Sequence, residues 1–308
     1  MVGFSLDKNR AEFECYLAET DHAELTVGGY VGDVRRFLHW FEETSSEPFT
    51  VPLLTSAVVR NYRQRLLDQE MRPATINRQL ASLAAFAHWA QRLGYLQVPR
   101  NPVLEVKAIP QMPLAPRWLD KKEQTKLLHA VSDEVERAMR RYPRLQVLVL
   151  RDAALVLLML NTGLRLHEVE ALKLSDLQMT ERSGKVIVRQ GKGGKYREVP
   201  LNTNVRRILQ AYLNVRPKVA STMFFIGLHE EGVQAKTIRR AVARFAKLAG
   251  VEEVSPHTLR HTFAKALIDS GVGLEKVAAL LGHSNLNTTR IYITPGERDL
   301  EEAVERVE

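Results

Sequence analysis

Five prolines, Pro99, Pro102, Pro110, Pro113 and Pro116, fall within eighteen residues. Each lacks an amide N–H and fixes its own φ, so no helix or central strand can run through the stretch. It reads as a semi-stiff connector, and it divides the chain into two expected folding units. These are residues 1–112, with the connector near its end, and residues 113–308. At 308 residues there is enough chain for two cores.

On the N-terminal side, Val27, Tyr30, Val31, Val34, Phe37, Leu38 and Phe41 recur at helical spacing. Gly28, Gly29 and Gly32 weaken the first turns, so a firm helix is expected from about Tyr30. Helices over 56–69 and 74–93 follow, the second with Ile76, Leu80, Leu83, Phe86, Ala87 and Ala90 in one stripe. Pro73 suits its first turn and Gly94 its end. The unit reads as a bundle of about four helices.

Beyond the connector a helix is expected through about Val131, then a charged segment over 133–144. An apolar helix over 152–161 is capped by Gly163, and helical spacing resumes over 166–174. The period then changes. Two β-favouring runs, 185–190 and 195–200, flank a glycine-rich loop and predict a hairpin. Helices resume over 204–213, 236–249, 258–270, 274–281 and 287–292. Residues 297–307 read as an amphipathic acidic helix with Leu300, Ala303, Val304 and Val307 on one face. The expected class is mainly α: a helical bundle followed by a mixed α/β unit with a small antiparallel hairpin.

The net charge is +8, and because residues 297–308 carry −4, the rest carries +12. Such a basic body suits a polyanion, nucleic acid before an anionic membrane surface. Cys15 is the only cysteine, which excludes a disulfide framework and a Cys-based metal site. The N-terminus has no apolar signal core, and the longest uncharged apolar run, 153–160, is too short to span a bilayer. A cytoplasmic protein without membrane contact is expected.

His257 and His261 stand four apart, as zinc-binding pairs do, but H-T-L-R-H lacks the glutamate of metalloprotease chemistry and puts a guanidinium between the rings. No metal or other cofactor is expected. Gly191-Lys192-Gly193-Gly194-Lys195 lacks the spacing of a nucleotide phosphate loop and joins two strands. It offers a lysine at a hairpin tip. Arg165, Lys192, His257, Arg260, His283 and Tyr292, taken together, suit a phosphodiester. Two arginines can clamp its non-bridging oxygens. A lysine or histidine can protonate a leaving oxygen, and another histidine can take a proton from the nucleophile. A tyrosine, with its pKa near 10, needs such help. No carboxylate triad for two-metal chemistry is apparent. Arg72 and Arg78, among many arginines of the first unit, are candidates for DNA backbone contact, with Lys195 and Arg197 from the hairpin.

T-G-L-R-L-H-E (162–168), G-K-G-G-K-Y-R-E-V-P (191–200), H-T-L-R-H (257–261), L-G-H (281–283) and R-I-Y (290–292) resemble the tyrosine site-specific recombinase family, close to its Xer-type and transposon-integrase members. R-P-A-T-I-N-R-Q-L-A-S-L (72–83) resembles the family's N-terminal SAM-like core-binding domain, so the likeness spans nearly the whole chain. It implies that Arg165 and Arg260 bind the phosphate and that Lys192 is the general acid for the leaving 5′-hydroxyl. His257 would be the acid/base histidine and His283 the second histidine at the phosphate. Tyr292 would be the nucleophile of a 3′-phosphotyrosyl intermediate, with Glu168 in support. The implied partners are double-stranded DNA with paired core sites, gripped between two domains, and a homo-tetramer or a paralogous recombinase. The C-terminal helix would dock on a neighbouring protomer. The alternatives are a type IB topoisomerase-like relaxing enzyme and a catalytically silent DNA-binding module. His167 stands where the family more often has serine, the charged segment is longer than usual, and the residues after Tyr292 depart from the usual Xer ending.

Overall fold

The computed structural model describes residues 6–19, 24–45, 47–111, 116–141, 145–189, 196–227, 230–283 and 286–292. The chain forms two compact units, Met1–Pro113 and Leu114–Glu308. It is mainly helical with one small antiparallel sheet.

The first unit holds α1 (Leu6–Glu19), α2 (Glu24–Thr44), α3 (Ser56–Asp68) and α4 (Pro73–Arg92). Phe13, Phe37, Phe49, Phe86 and Trp89 bury their rings in its core. Phe13 meets Phe86 edge to face at 5.7 Å, an arrangement the ring quadrupoles favour. α2 begins at Glu24, earlier than its glycines suggest. Packing of Val31 and Val34 into the core outweighs the propensity lost at Gly28, Gly29 and Gly32. Asp33, fully buried on α2, accepts from Arg36, Arg78 and Ser82 and ties α2 to α4.

The second unit contains α5 (Lys121–Arg141), α6 (Gln146–Thr162), α7 (Leu166–Glu170), β1 (Leu177–Met179), β2 (Gly184–Val188), β3 (Arg197–Pro200) and α8 (Thr203–Val215). α9 (Ala235–Ala249), α10 (Pro256–Asp269), α11 (Leu274–Leu281) and α12 (Asn287–Arg290) follow. α6 is buried on nearly all sides and packs against α5, α8, α9 and α10. The strands run in the order β1-β2-β3, with Val186 opposite Leu177 on one side and Val199 on the other.

Two expectations are corrected here. α5 does not stop near Val131 but continues to Arg141, because Ala138 extends the buried stripe of Leu127 and Val131 and its charged residues face outward or pair, as Glu134 does with Arg244. α7 ends at Glu170, short of Leu174, because the following residues pair with a distant segment. Leu174 N–H donates to the Thr222 carbonyl and Phe224 N–H to the Leu172 carbonyl. The hairpin tip and the acidic tail lie outside the described residues. Among the described residues, no helix is long and apolar enough to cross a membrane.

Candidate active site

Two glycine corners bring distant segments together. Gly163 ends α6 at φ 63° and Gly282 ends α11 at φ 68°, conformations that suit glycine. A Cβ at Gly163 would lie 2.6 Å from the Phe263 ring, and one at Gly282 would lie 2.8 Å from Arg197 Nη1. Each corner also presents a carbonyl to an arginine. Arg260 Nη1 donates to Gly163 O at 2.5 Å, and Arg165 Nη2 donates to Gly282 O at 3.3 Å.

Arg165 is the N-cap of α7, directly after the first corner. Glu168, in the first turn of that helix, accepts from the Arg165 backbone N–H at 2.7 Å and from its Nη1 at 3.1 Å. Arg197 on β3 grips the same carboxylate with both nitrogens, at 2.9 and 2.7 Å, and donates through Nε to the Leu280 carbonyl. The Glu168 side chain is 1% exposed. Burial alone would raise its pKa, but the hydrogen bonds and charge of Arg197, joined by Arg165, hold it below the ordinary carboxylate range. Glu168 is thus a fixed anion that orients two cations.

Arg260 on α10 is 2% exposed. Besides Gly163 it donates through Nη2 to the Leu281 carbonyl at 2.8 Å and to His283 Nε2 at 2.9 Å. Burial, then the Arg165 charge, pushes its pKa down to about 10, so it stays a cation at neutral pH. Three of its five N–H donors are engaged in these contacts, and two are left for an anion. Arg165, Arg197 and Arg260 outnumber their one buried carboxylate, which makes this a seat for negative charge.

The Arg260 contact sets the His283 tautomer. A guanidinium only donates, so Nε2 must accept and Nδ1 carries the proton, which goes to Thr289 Oγ1 at 2.8 Å. Burial and the charges of Arg260, Arg165 and Arg197 hold His283 down to about 4.

Tyr292 is 2% exposed, on the chain just after α12, and its N–H returns to the Thr289 carbonyl. Its hydroxyl lies 2.7 Å from His261 Nδ1. Burial raises the phenol pKa against the opposing pull of Arg260 and Arg165. His261 is held down to about 4 by burial and by the charges of His257 and Arg260. His257 is exposed at the second position of α10 and meets the His261 ring edge to face at 4.5 Å. Partial desolvation of its ring, then the charges of Arg260 and Arg165, lowers its pKa.

Arg165, Glu168, Arg260, His283 and Tyr292 therefore gather in one place, with His257 at its rim. Lys192 and Lys195 lie outside the described residues. Arg72 is exposed at the start of α4, and Arg78 is paired with Asp33. Arg197, expected at DNA, is instead buried against Glu168, because a carboxylate taken out of water demands a cation. His261 and Thr289 were not among the expected site residues. The four-residue spacing of H-T-L-R-H put His261 on the His257 face, but which atom it would touch depends on the return of the chain at 292. Among the described residues, no group of three or more His, Cys, Asp or Glu is arranged to hold a metal ion.

Residues 117–298 match the model of the Phage integrase family, and residues 11–94 match that of the Phage integrase, N-terminal SAM-like domain. The chain is 31% identical over 292 residues to tyrosine recombinase XerC of Corynebacterium glutamicum, covering 92% of this chain and 88% of the relative. It is 27% identical over 309 residues to the TnP I resolvase of Bacillus thuringiensis, covering 96% and 98% respectively. The XerH site-specific recombinase, solved with palindromic difH substrate in a post-cleavage complex, superposes with a TM-score of 0.71 at 23% identity, over 91% of this chain and 79% of that one. That likeness is one of fold.

Proposed function

The chain belongs to the phage integrase family of tyrosine recombinases, which are DNA strand-exchange enzymes, and on that premise we propose that it cuts and rejoins duplex DNA at specific sites through a phosphotyrosine at Tyr292. The observation that carries the reading is a buried phenol, held by a neutral imidazole, in the field of Arg165 and Arg260.

The two arginines hold the non-bridging oxygens of the scissile phosphate and offset the charge that grows there in the transition state. Glu168 and Arg197 keep Arg165 in place. The Tyr292 oxygen bonds to phosphorus as the bond to the 5′-oxygen breaks, and Lys192 protonates that leaving oxygen. His257, at the rim of the site, serves the phosphate as the acid/base histidine, and His283 hydrogen-bonds it once Arg260 turns to the phosphate and the ring proton moves to Nε2. The 3′-phosphotyrosyl bond retains the energy of the phosphodiester, so a 5′-hydroxyl from a second duplex can displace the phenol without ATP. Two duplexes contain four strands and each protomer has one nucleophile, so exchange requires four protomers on paired core sites. These are copies of this chain or of a paralogous recombinase. The tail beyond residue 297 docks on the neighbouring protomer, and the basic body supplies salt-sensitive backbone affinity, with Arg72, Arg78 and Lys195 contributing. Integration, excision and resolution all use this chemistry, on the DNA of the cytoplasm.

The test is a plasmid carrying two copies of a site selected by the chain from a randomised duplex pool. Excision of a circle between the sites, without added nucleotide, is the expected result. Efficient relaxation of a supercoiled plasmid lacking any site would favour a topoisomerase instead.

A further inference from the structure

The reacting oxygen of Tyr292 has one hydrogen-bond partner among the described residues, His261 Nδ1 at 2.7 Å. The ring planes are inclined by 55° with centroids 5.4 Å apart, so the contact runs through the nitrogen and is not a stack. Hydroxyl and imidazole are both neutral at pH 7, the phenol because burial keeps its proton on and the imidazole because burial, His257 and Arg260 keep a proton off. In the tautomer with the ring proton on Nε2, the hydroxyl donates and Nδ1 accepts. That is the ground-state geometry of a base waiting on its nucleophile. His257, by contrast, is exposed and contacts the ring of His261.

We propose that His261 is the proton acceptor for Tyr292 in the strand-cleaving step. The inference rests on Tyr292 being the nucleophile. In that step the oxygen–phosphorus bond forms as the phenol O–H bond breaks, and the proton moves to Nδ1. The phosphorus–5′-oxygen bond breaks, and the departing oxygen takes its proton from a separate acid. On rejoining, the phenol leaves phosphorus and recovers its proton from the imidazolium. His261 is faced by His257 and Arg260 from its own helix, by His283 from the end of α11 and by Tyr292 from beyond α12, while Arg165 from the start of α7 acts on Tyr292. A bound phosphodiester brings negative charge to the arginines and so restores basicity to the imidazole. The free chain keeps an inert phenol, and DNA arms it.

The test uses the full-length chain and a nicked duplex of selected sequence, made with either the ordinary phosphodiester or a 5′-bridging phosphorothiolate whose sulfur leaves without a proton. His261→Ala should slow adduct formation roughly 100- to 10,000-fold at neutral pH on both substrates, with the deficit shrinking about tenfold per pH unit as hydroxide takes over the phenol proton. Added imidazole should restore part of the rate. His261→Asn keeps a hydrogen-bond acceptor without basicity, so it should bind DNA as the unaltered chain does yet stay as slow as the alanine variant. Lys192→Ala should recover on the sulfur substrate, which separates acid from base. Asparagine restoring the rate, an unimpaired His261→Ala, or a deficit that does not change with pH would each overturn the inference. If the unaltered chain forms no adduct at Tyr292, the nucleophile assignment falls and this inference with it. An adduct at Tyr292 that is indifferent to His261 removes this inference alone.

Discussion

Replacing Arg197 with methionine tests what holds the phosphate seat together. The substitution removes two charge-assisted hydrogen bonds, of 2.9 and 2.7 Å, from a carboxylate that is 1% exposed, and one more from the Leu280 carbonyl. Taking one partner from a buried ion pair costs about 3–5 kcal/mol, because the remaining charge is left without compensation. Arg165 still donates to Glu168 from its backbone N–H and from Nη1, so the loss should fall near the lower end, ~3 kcal/mol. With its pKa held low by Arg197, Glu168 stabilises the fold above the ordinary carboxylate range, and this is lost as pH falls through the folded value. In Arg197→Met burial acts unopposed by that partner, so the carboxyl takes up a proton at higher pH. Native-state hydrogen exchange of the full chain reads the effect directly. Amides of α7 and β3 should lose protection by roughly a hundredfold, the equivalent of ~3 kcal/mol. Adding Glu168→Gln should recover part of it, since an amide is cheaper to bury than an unpaired carboxylate. A loss below ~1 kcal/mol, or no recovery in the double variant, would refute the view of Glu168 and Arg197 as a buried ion pair that anchors Arg165.

Other perturbations follow from the same contacts. His261 and His283 are both held near 4 in the fold against an ordinary value of 6.5, so the unfolded chain binds more protons between those values. The free chain should lose stability as pH falls from about 6.5 toward 4, on the order of 2 kcal/mol per histidine after solvent screening. Urea midpoints across that range should show the slope, and it should flatten in the His261→Asn, His283→Asn double variant. Gly282→Ala should destabilise by at least ~1–3 kcal/mol, from a left-handed φ and a Cβ pressed against Arg197. Adduct formation should fall more steeply than thermal stability in that variant, because Arg165 and Arg197 both touch the corner. Deleting residues 297–308 should abolish assembly of two duplexes in gel-shift and light-scattering measurements while sparing single-site binding. Unchanged assembly would sink the docking role of the tail.

The sequence carried the helices well where a stripe repeats every three or four residues, as in α4 and α10, and it carried the hairpin through the change of period at 185. It failed where contacts distant in sequence override local preference. Gly28, Gly29 and Gly32 argue against a helix, yet packing of α2 against α1 and α4 keeps them in one. Leu172 and Leu174 continue a helical pattern but hydrogen-bond to residues 222–224 instead. The site shows the same division. Residue type suggested a seat for a phosphodiester, and the resemblance to the tyrosine recombinases assigned its members their roles. They did not reveal that Arg197 turns inward, because its partner Glu168 lies twenty-nine positions away. Nor did they assign His261 to the tyrosine, because that pairing exists only once α12 carries Tyr292 back over α10.

The central claim is that Tyr292 becomes covalently joined to DNA, and peptide mapping of the trapped adduct tests it most directly. The full chain is incubated with a nicked duplex of selected sequence, digested with protease and nuclease, and analysed by mass spectrometry. The account requires a nucleotide-phosphate mass on the peptide containing Arg290, Ile291 and Tyr292, attached through a 3′-phosphate, and none in Tyr292→Phe. An adduct on any other residue, or one that survives in Tyr292→Phe, would contradict it.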